Sequence, residues 1–156
     1  MNNSLVECSK VSVRNSTIKS AGLGAFANTF IKKGEIVEIG LVKQVDCNGH
    51  KNPYLFTWSK DRTVWAYGAG CATFYNTSNN PNTHMERDFD NFSYKIYAIR
   101  DIQKDEELTH TYLSLKWREC FVKDSKLSSS PYAHKPIPCL FGMQCVCIED
   151  CRFVHN

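Results

Sequence analysis

Apolar and polar positions alternate along much of this chain with the period of two that marks half-buried strands. Val11-Ser12-Val13 alternates, then gives way to a polar turn and the small-residue segment Ala21-Gly22-Leu23-Gly24-Ala25-Phe26-Ala27. In Ile31-Lys32-Lys33-Gly34-Glu35-Ile36-Val37-Glu38-Ile39, Lys-Gly-Glu makes a turn that feeds a β-branched run. Residues 46–63 form a polar, turn-rich insert around Asn48-Gly49 that carries Tyr54, Phe56 and Trp58. The apolar stretch 64–75 is broken by Gly68 and Gly70, residues 94–99 alternate again, and 101–107 form a charged turn. Leu108-Thr109-His110-Thr111-Tyr112 predicts a last strand. Only over 115–126, where Trp117, Cys120 and Phe121 stand at i, i+3 and i+4, is an amphipathic helix predicted; Ser128-Ser129-Ser130-Pro131 then opens an irregular tail.

Composition narrows the class. A chain of 156 residues is one domain's worth, and 42% hydrophobic with 22% charged residues excludes wholesale disorder. The net charge of +3 is too small to hold nucleic acid or a membrane by charge alone. It is unevenly spread: residues 1–78 carry 9 basic and 5 acidic groups, residues 79–156 carry 10 and 11. Several carboxylates lie between Glu86 and Glu107, a segment that faces solvent or attracts a basic partner.

Residues 1–10 lack the apolar run of an export signal, and no segment is apolar enough to span a membrane. The expected setting is therefore intracellular and reducing. There the sequons at Asn2, Asn15, Asn76 and Asn91 carry no sugar, and cysteines are thiols or metal ligands. Four of the eight cysteines fall in the last 18 residues, whereas Cys8, Cys47, Cys71 and Cys120 are scattered and read as small buried side chains.

Three constellations could carry chemistry, each with a plain structural reading beside it. Gly22-x-Gly24 lacks the third glycine and following helix of a dinucleotide fingerprint; it serves a turn or lets a small ligand approach the backbone. The loop Phe74 to Asn82 is rich in amides that must all find partners, so Asn76 caps its own turn or binds a ligand. Tyr112, at the end of the last predicted strand, reads by default as a core ring with its hydroxyl at the rim.

Their order is more specific than any one of them. Gly22-Leu23-Gly24-Ala25-Phe26-Ala27, then Ile31-Lys32-Lys33-Gly34-Glu35, then Phe74-Tyr75-Asn76-Thr77-Ser78-x-x-Pro81-Asn82, then Asp101-Ile102-x-x-Asp105-Glu106-Glu107-Leu108-Thr109-x-x-Tyr112 resembles the SET-domain protein lysine methyltransferases from about residue 10 to 117. The short length and Tyr54-Leu55-Phe56 look most like the minimal SET enzymes of large DNA viruses. The resemblance implies a mostly-β, β-clip-like fold of small sheets with a C-terminal pseudoknot and little helix. It divides the chain into a catalytic core at 1–117, with an insert over about 42–64, and a C-terminal helix and cysteine-rich zinc segment at 118–156.

It also implies an S-adenosylmethionine site at Gly22, Leu23, Gly24, Tyr75, Asn76 and Thr77, with Trp117 or Phe141 over the adenine. Thr77 stands where the family usually has His and offers the same main-chain groups. Tyr112 is then the catalytic tyrosine and Tyr54 lines the lysine channel, while Tyr67 and Tyr97 read better as strand residues. Lys116 takes the place of an aromatic residue in the viral enzymes, which leaves the number of methyl groups open.

The tail looks like a post-SET segment, with Asn79 in place of its usual fourth cysteine; Cys139, Cys145, Cys147 and Cys151 become the zinc ligands, with His134 and His155 in reserve. The implied partner is a basic, lysine-containing peptide, a histone tail, which the acidic segment after Asn82 would attract, with a homodimer left open. The implied place is chromatin in the nucleus, the host's if the protein is viral. A SET-like module that binds peptides without transferring a methyl group is the alternative, and a small zinc-dependent interaction domain explains the tail alone.

Overall fold

The alternating segments form two sheets. The computed structural model describes residues 3–113 and 118. Its strands are β1 (Val11–Asn15), β2 (Leu23–Ala27), β3 (Ile36–Val45), β4 (Phe56–Thr57), β5 (Trp65–Ala69), β6 (Asn76–Thr77), β7 (Thr83–Asp88), β8 (Ser93–Ala98) and β9 (Glu107–His110), with one 3-10 turn at Ala72–Phe74 among the described residues. One sheet runs β1-β2-β9-β6 and the other β4-β5-β3-β8-β7. β6 and β9 pair in parallel, while every other pairing between these strands is antiparallel. This is the mostly-β arrangement of small sheets that the resemblance implies.

The core follows the apolar half of the alternation. Ala25, Ile31, Val37, Ile96, Ile102 and Leu108 are at most 2% exposed. Each large aliphatic chain so buried contributes about 1.5–3 kcal/mol against the entropy of ordering it. Ile31 joins Ile102 through an isolated bridge, and the strand proper begins at Ile36, past the Lys-Gly-Glu turn. β3 continues through Val45, so the first residues of the insert expected over 42–64 are strand. The last strand stops at His110, two residues short of Tyr112. The hydrophobic pattern does not predict β7 at all, because its inward positions are Thr83, Met85 and Arg87.

Glu38 departs most from the pattern. The β3–β8 register shifts between Ile36 and Glu38, and consecutive residues Val37 and Glu38 are both buried. A bulge rotates the strand and turns a side chain inward that strict alternation would put in water. The Glu38 carboxylate accepts from the Cys71 N–H at 2.9 Å and the Tyr75 hydroxyl at 2.8 Å, and lies 2.8 Å from the Tyr94 hydroxyl. Tyr94 belongs to the five-stranded sheet and Tyr75 leads directly into β6, so this one carboxylate couples the two sheets. Gly70, at φ +118, is required here: a Cβ would come 2.6 Å from the Tyr94 hydroxyl and 2.8 Å from Glu38 Oε2.

Cys8 and Cys71 are free thiols, as expected. Cys47 takes part in a disulfide, against that expectation, because spacing in the sequence does not show which sulfurs a fold brings within bonding reach. No helix among the described residues is long and apolar enough to cross a membrane. The helix expected over 115–126, except Arg118, lies outside the described residues, as do Trp117, Phe141 and Cys139, Cys145, Cys147 and Cys151.

Candidate active site

The two motifs farthest apart in sequence meet where β6 and β9 pair. Asn76 lies opposite Thr109 and Thr77 opposite His110. Past the end of β9, the Tyr112 N–H donates to Thr77 Oγ1 at 3.0 Å and the Tyr112 hydroxyl donates to the Tyr75 carbonyl at 2.7 Å. The His110 ring stands between the two tyrosines, 5.6 Å from Tyr75 and 5.3 Å edge-on from Tyr112. Burial, reinforced by the charge of Glu38, holds the Tyr75 phenol far above its ordinary pKa, so Tyr75 is a fixed donor rather than an acid.

The amide-rich loop finds its partners in β9. Asn82, 1% exposed, accepts from the Thr109 N–H and donates to the Glu107 carbonyl, both at 2.8 Å, and thereby acts as one more strand partner. Thr83 donates its hydroxyl to the Thr109 carbonyl at 2.8 Å. These bonds remove the cost of burying a polar loop and leave it with a single shape.

Asn76 is the other pivot. Its amide group donates to the Leu23 carbonyl at 3.0 Å, to Glu107 Oε2 at 3.1 Å and to the Ser16 hydroxyl at 3.2 Å. Glu107 also accepts from the Ser16 hydroxyl, the Thr17 hydroxyl and the Thr17 N–H, the last at 2.8 Å. A Cβ on Gly24 would come 2.8 Å from Glu107 Oε2 and 3.2 Å from Asn76 Nδ2, so the second glycine of the pair is needed for this close approach.

Tyr54, Tyr75, His110 and Tyr112 line one cavity of about 570 Å3. The insert that carries Tyr54 is pinned from several sides. Leu55 and Trp58 are at most 2% exposed, Trp58 Nε1 donates to the Asp88 carbonyl, and the Tyr54 N–H donates to Asn52 Oδ1. Arg118 clamps it from the far end of the described chain, donating to the Gly49 carbonyl at 3.0 Å and the Asn52 carbonyl at 2.6 Å while its guanidinium lies 5.2 Å from the Trp65 ring.

Known proteins settle what this arrangement belongs to. Residues 22–113, more than half of the chain, match the family model of the SET domain. The chain belongs to the SET-domain family. Among solved structures, a Plasmodium falciparum protein assigned as a histone methyltransferase is 29% identical, with a TM-score of 0.53 over 66% of this chain and 92% of that one. The polycomb repressive complex 2 of Chaetomium thermophilum in complex with H3K27me3 and H3K27M is 23% identical, with a TM-score of 0.56 over 65% of this chain and 14% of that one. The same complex bound to S-adenosylmethionine is 22% identical, with a TM-score of 0.54 over 69% of this chain and 16% of that one. At the latter identities the likeness is one of fold, and this chain spans only a small part of the polycomb subunit. No curated protein matches the chain in sequence.

The SET motifs read in the sequence thus converge in space: Asn76 reaches Leu23, Glu107 beside it approaches Gly24, and Tyr54 shares a cavity with Tyr112. Tyr67 and Tyr97 do not line that cavity. Neither do the carboxylates of the acidic segment expected to seat a basic peptide. Glu107 lies in the fourth motif but with no role assigned to it; Ser16, Thr17 and His110 carry no motif signal, and Arg118 gives none because its partners are main-chain carbonyls far away in the chain. Among the described residues no group of three or more His, Cys, Asp or Glu could hold a metal ion.

Proposed function

We propose that this SET protein is an S-adenosylmethionine-dependent protein lysine N-methyltransferase. The observation that carries the reading is Tyr112, its hydroxyl fixed at 2.7 Å on the Tyr75 carbonyl and its side chain among the residues that line the cavity shared with Tyr54. Asn76, the Thr77 main chain and the backbone at Gly22, Leu23 and Gly24, with Tyr75, would hold the cofactor. Their chemistry fits it, since a fixed amide and clustered main-chain groups are the partners an amino-acid ligand needs. When bound, the cofactor supplies an electrophilic methyl group on a sulfonium sulfur.

The acceptor lysine must arrive as the free amine, because an ammonium has no lone pair. An aromatic-lined cavity disfavours the charged form and lowers its pKa. The Tyr112 hydroxyl has already spent its proton on the Tyr75 carbonyl, so its lone pairs accept from the amine N–H and aim the nitrogen. Tyr54 lines the other side of the channel. Two neutral hydroxyls orient the amine without adding a unit charge that would favour the ammonium, and positioning supplies much of the rate.

Histones are the first substrate class to test, because the structural neighbours are named for histone methylation and H3 peptides. A chromatin-associated, nuclear place follows from the same reading. Calorimetry is expected to show S-adenosylmethionine binding, and Asn76→Ala is expected to weaken it by about tenfold or more while breaking the tie to Leu23 and Glu107. Unchanged cofactor affinity in a folded Asn76→Ala protein would remove that residue from the site. For the zinc reading of the tail, metal analysis of protein purified without chelator is expected to return about one ion per chain. No bound zinc would overturn it.

A further inference from the structure

The cavity shared by Tyr54 and Tyr112 is lined by four cations, Lys60, Arg62, Arg87 and Arg118, and by no carboxylate among the described residues. Arg118 is 3% exposed and gives its guanidinium to two main-chain carbonyls. Arg87 Nη1 donates to the Thr57 carbonyl at 3.2 Å and its hydroxyl at 3.1 Å, and the guanidinium lies 5.5 Å from the Phe89 ring centroid. The Arg87 acceptors are neutral, so its positive charge stays in the cavity, and a guanidinium keeps that charge even when burial lowers its pKa. Lys60 is exposed at the same cavity.

The nearby carboxylates are turned elsewhere. Glu86 and Asp88 occupy the exposed alternate positions of β7, between and beyond Met85 and Arg87, and neither lines the cavity. Asp61, between Lys60 and Arg62 in sequence, accepts from Ser59 and Thr63 in its own loop. Asp105 pairs with Arg14, Glu106 with Arg100, and Glu107 with Ser16, Thr17 and Asn76. A basic tail would therefore meet like charge here. The same field disfavours the ammonium form of an incoming lysine, which assists its deprotonation but leaves delivery to some other attraction.

Resting on the methyltransferase reading of this site, we propose that the acceptor lysine is one flanked by an anionic side chain, carboxylate or phosphate, which pairs with Lys60 and Arg87 while the amine reaches Tyr112. The preferred substrate then differs from an all-basic tail segment.

Four fluorescent peptides of one sequence, with glutamate, phosphoserine, alanine or arginine beside a central lysine, test this by anisotropy against the full chain. The glutamate peptide is expected to bind about fivefold more tightly than the alanine peptide at low salt, and the arginine peptide more weakly than either. The gap is expected to shrink at physiological salt, where the screening length is about 8 Å, and to shrink again in Lys60→Gln and in Arg87→Gln. Lys60 is exposed, so its variant reports even if loss of the Arg87–Thr57 bonds unsettles the fold. Phosphoserine binding clearly more tightly than glutamate identifies phosphate as the preferred source, and equal binding shows that a carboxylate suffices. Equal affinity for all four peptides, or preference for arginine, overturns the proposal. Methyl transfer to the same peptides is read separately: none on any peptide, with the binding preference intact, sinks the methyltransferase reading alone, whereas transfer without preference sinks this one alone.

Discussion

Tyr112→Phe is expected to cut turnover by about 10²–10³-fold while leaving cofactor affinity unchanged. The substitution removes only the hydroxyl that donates to the Tyr75 carbonyl at 2.7 Å. It keeps the ring packed edge-on against His110 and the main-chain N–H bonded to Thr77 Oγ1. The fold and the Asn76 side of the site therefore persist, and what is lost is the group that aims the amine. Rapid-quench turnover beside calorimetric titration of the cofactor separates the two quantities. A full rate in this variant would take Tyr112 out of catalysis, and a matching loss of cofactor affinity would make its role structural.

The second large effect is on stability. Glu38→Ala is expected to cost about 3–5 kcal/mol in urea unfolding, because removing one partner of a buried network strands the others. The Cys71 N–H and the Tyr75 hydroxyl lose their acceptor, and the two sheets lose the carboxylate that joins them. Burial raises the Glu38 pKa despite these bonds. The Tyr94 hydroxyl lies 2.8 Å from Glu38 and 2.9 Å from the Ala69 carbonyl, and it satisfies both when it donates to Ala69 and accepts from a protonated Glu38.

The sign for pH follows. Below about pH 4.3, the ordinary glutamate value, folded and unfolded chains both hold the proton and the charged form costs nothing. As pH rises from there to the higher folded value, the unfolded state releases its proton first, so stability falls, and above the folded value it levels off. Glu38→Gln has no such proton. The stability difference between wild type and Glu38→Gln is expected to move against wild type through that window, and a flat difference would show that Glu38 titrates normally.

The legible and illegible parts of this protein differ in physical kind. Strands with strongly apolar inward positions, such as β8 with Tyr94, Ile96 and Ala98, were visible in the alternation. So was the coming together of Asn76 and Tyr112, because the motif order of the SET family encodes it. β7 was not, since an inward Thr, Met and Arg carry little hydropathic signal. Glu38 was hidden by a bulge, which alternation cannot anticipate. Arg118 and the Cys47 disulfide depend on long-range contacts that no local pattern records. The charge of the cavity has no local signature either: strand alternation turns Glu86 and Asp88 to the exposed side of β7 and Arg87 inward, which agrees with the solvent-facing reading of the acidic segment.

The most direct measurement is incubation of the full chain with labelled S-adenosylmethionine and a panel of histones and acidic-flanked lysine peptides, followed by tandem mass spectrometry. The expected result is label on lysine Nζ, abolished or nearly so in Tyr112→Phe. Bound cofactor with no label on any lysine, or equal label in Tyr112→Phe, would contradict it.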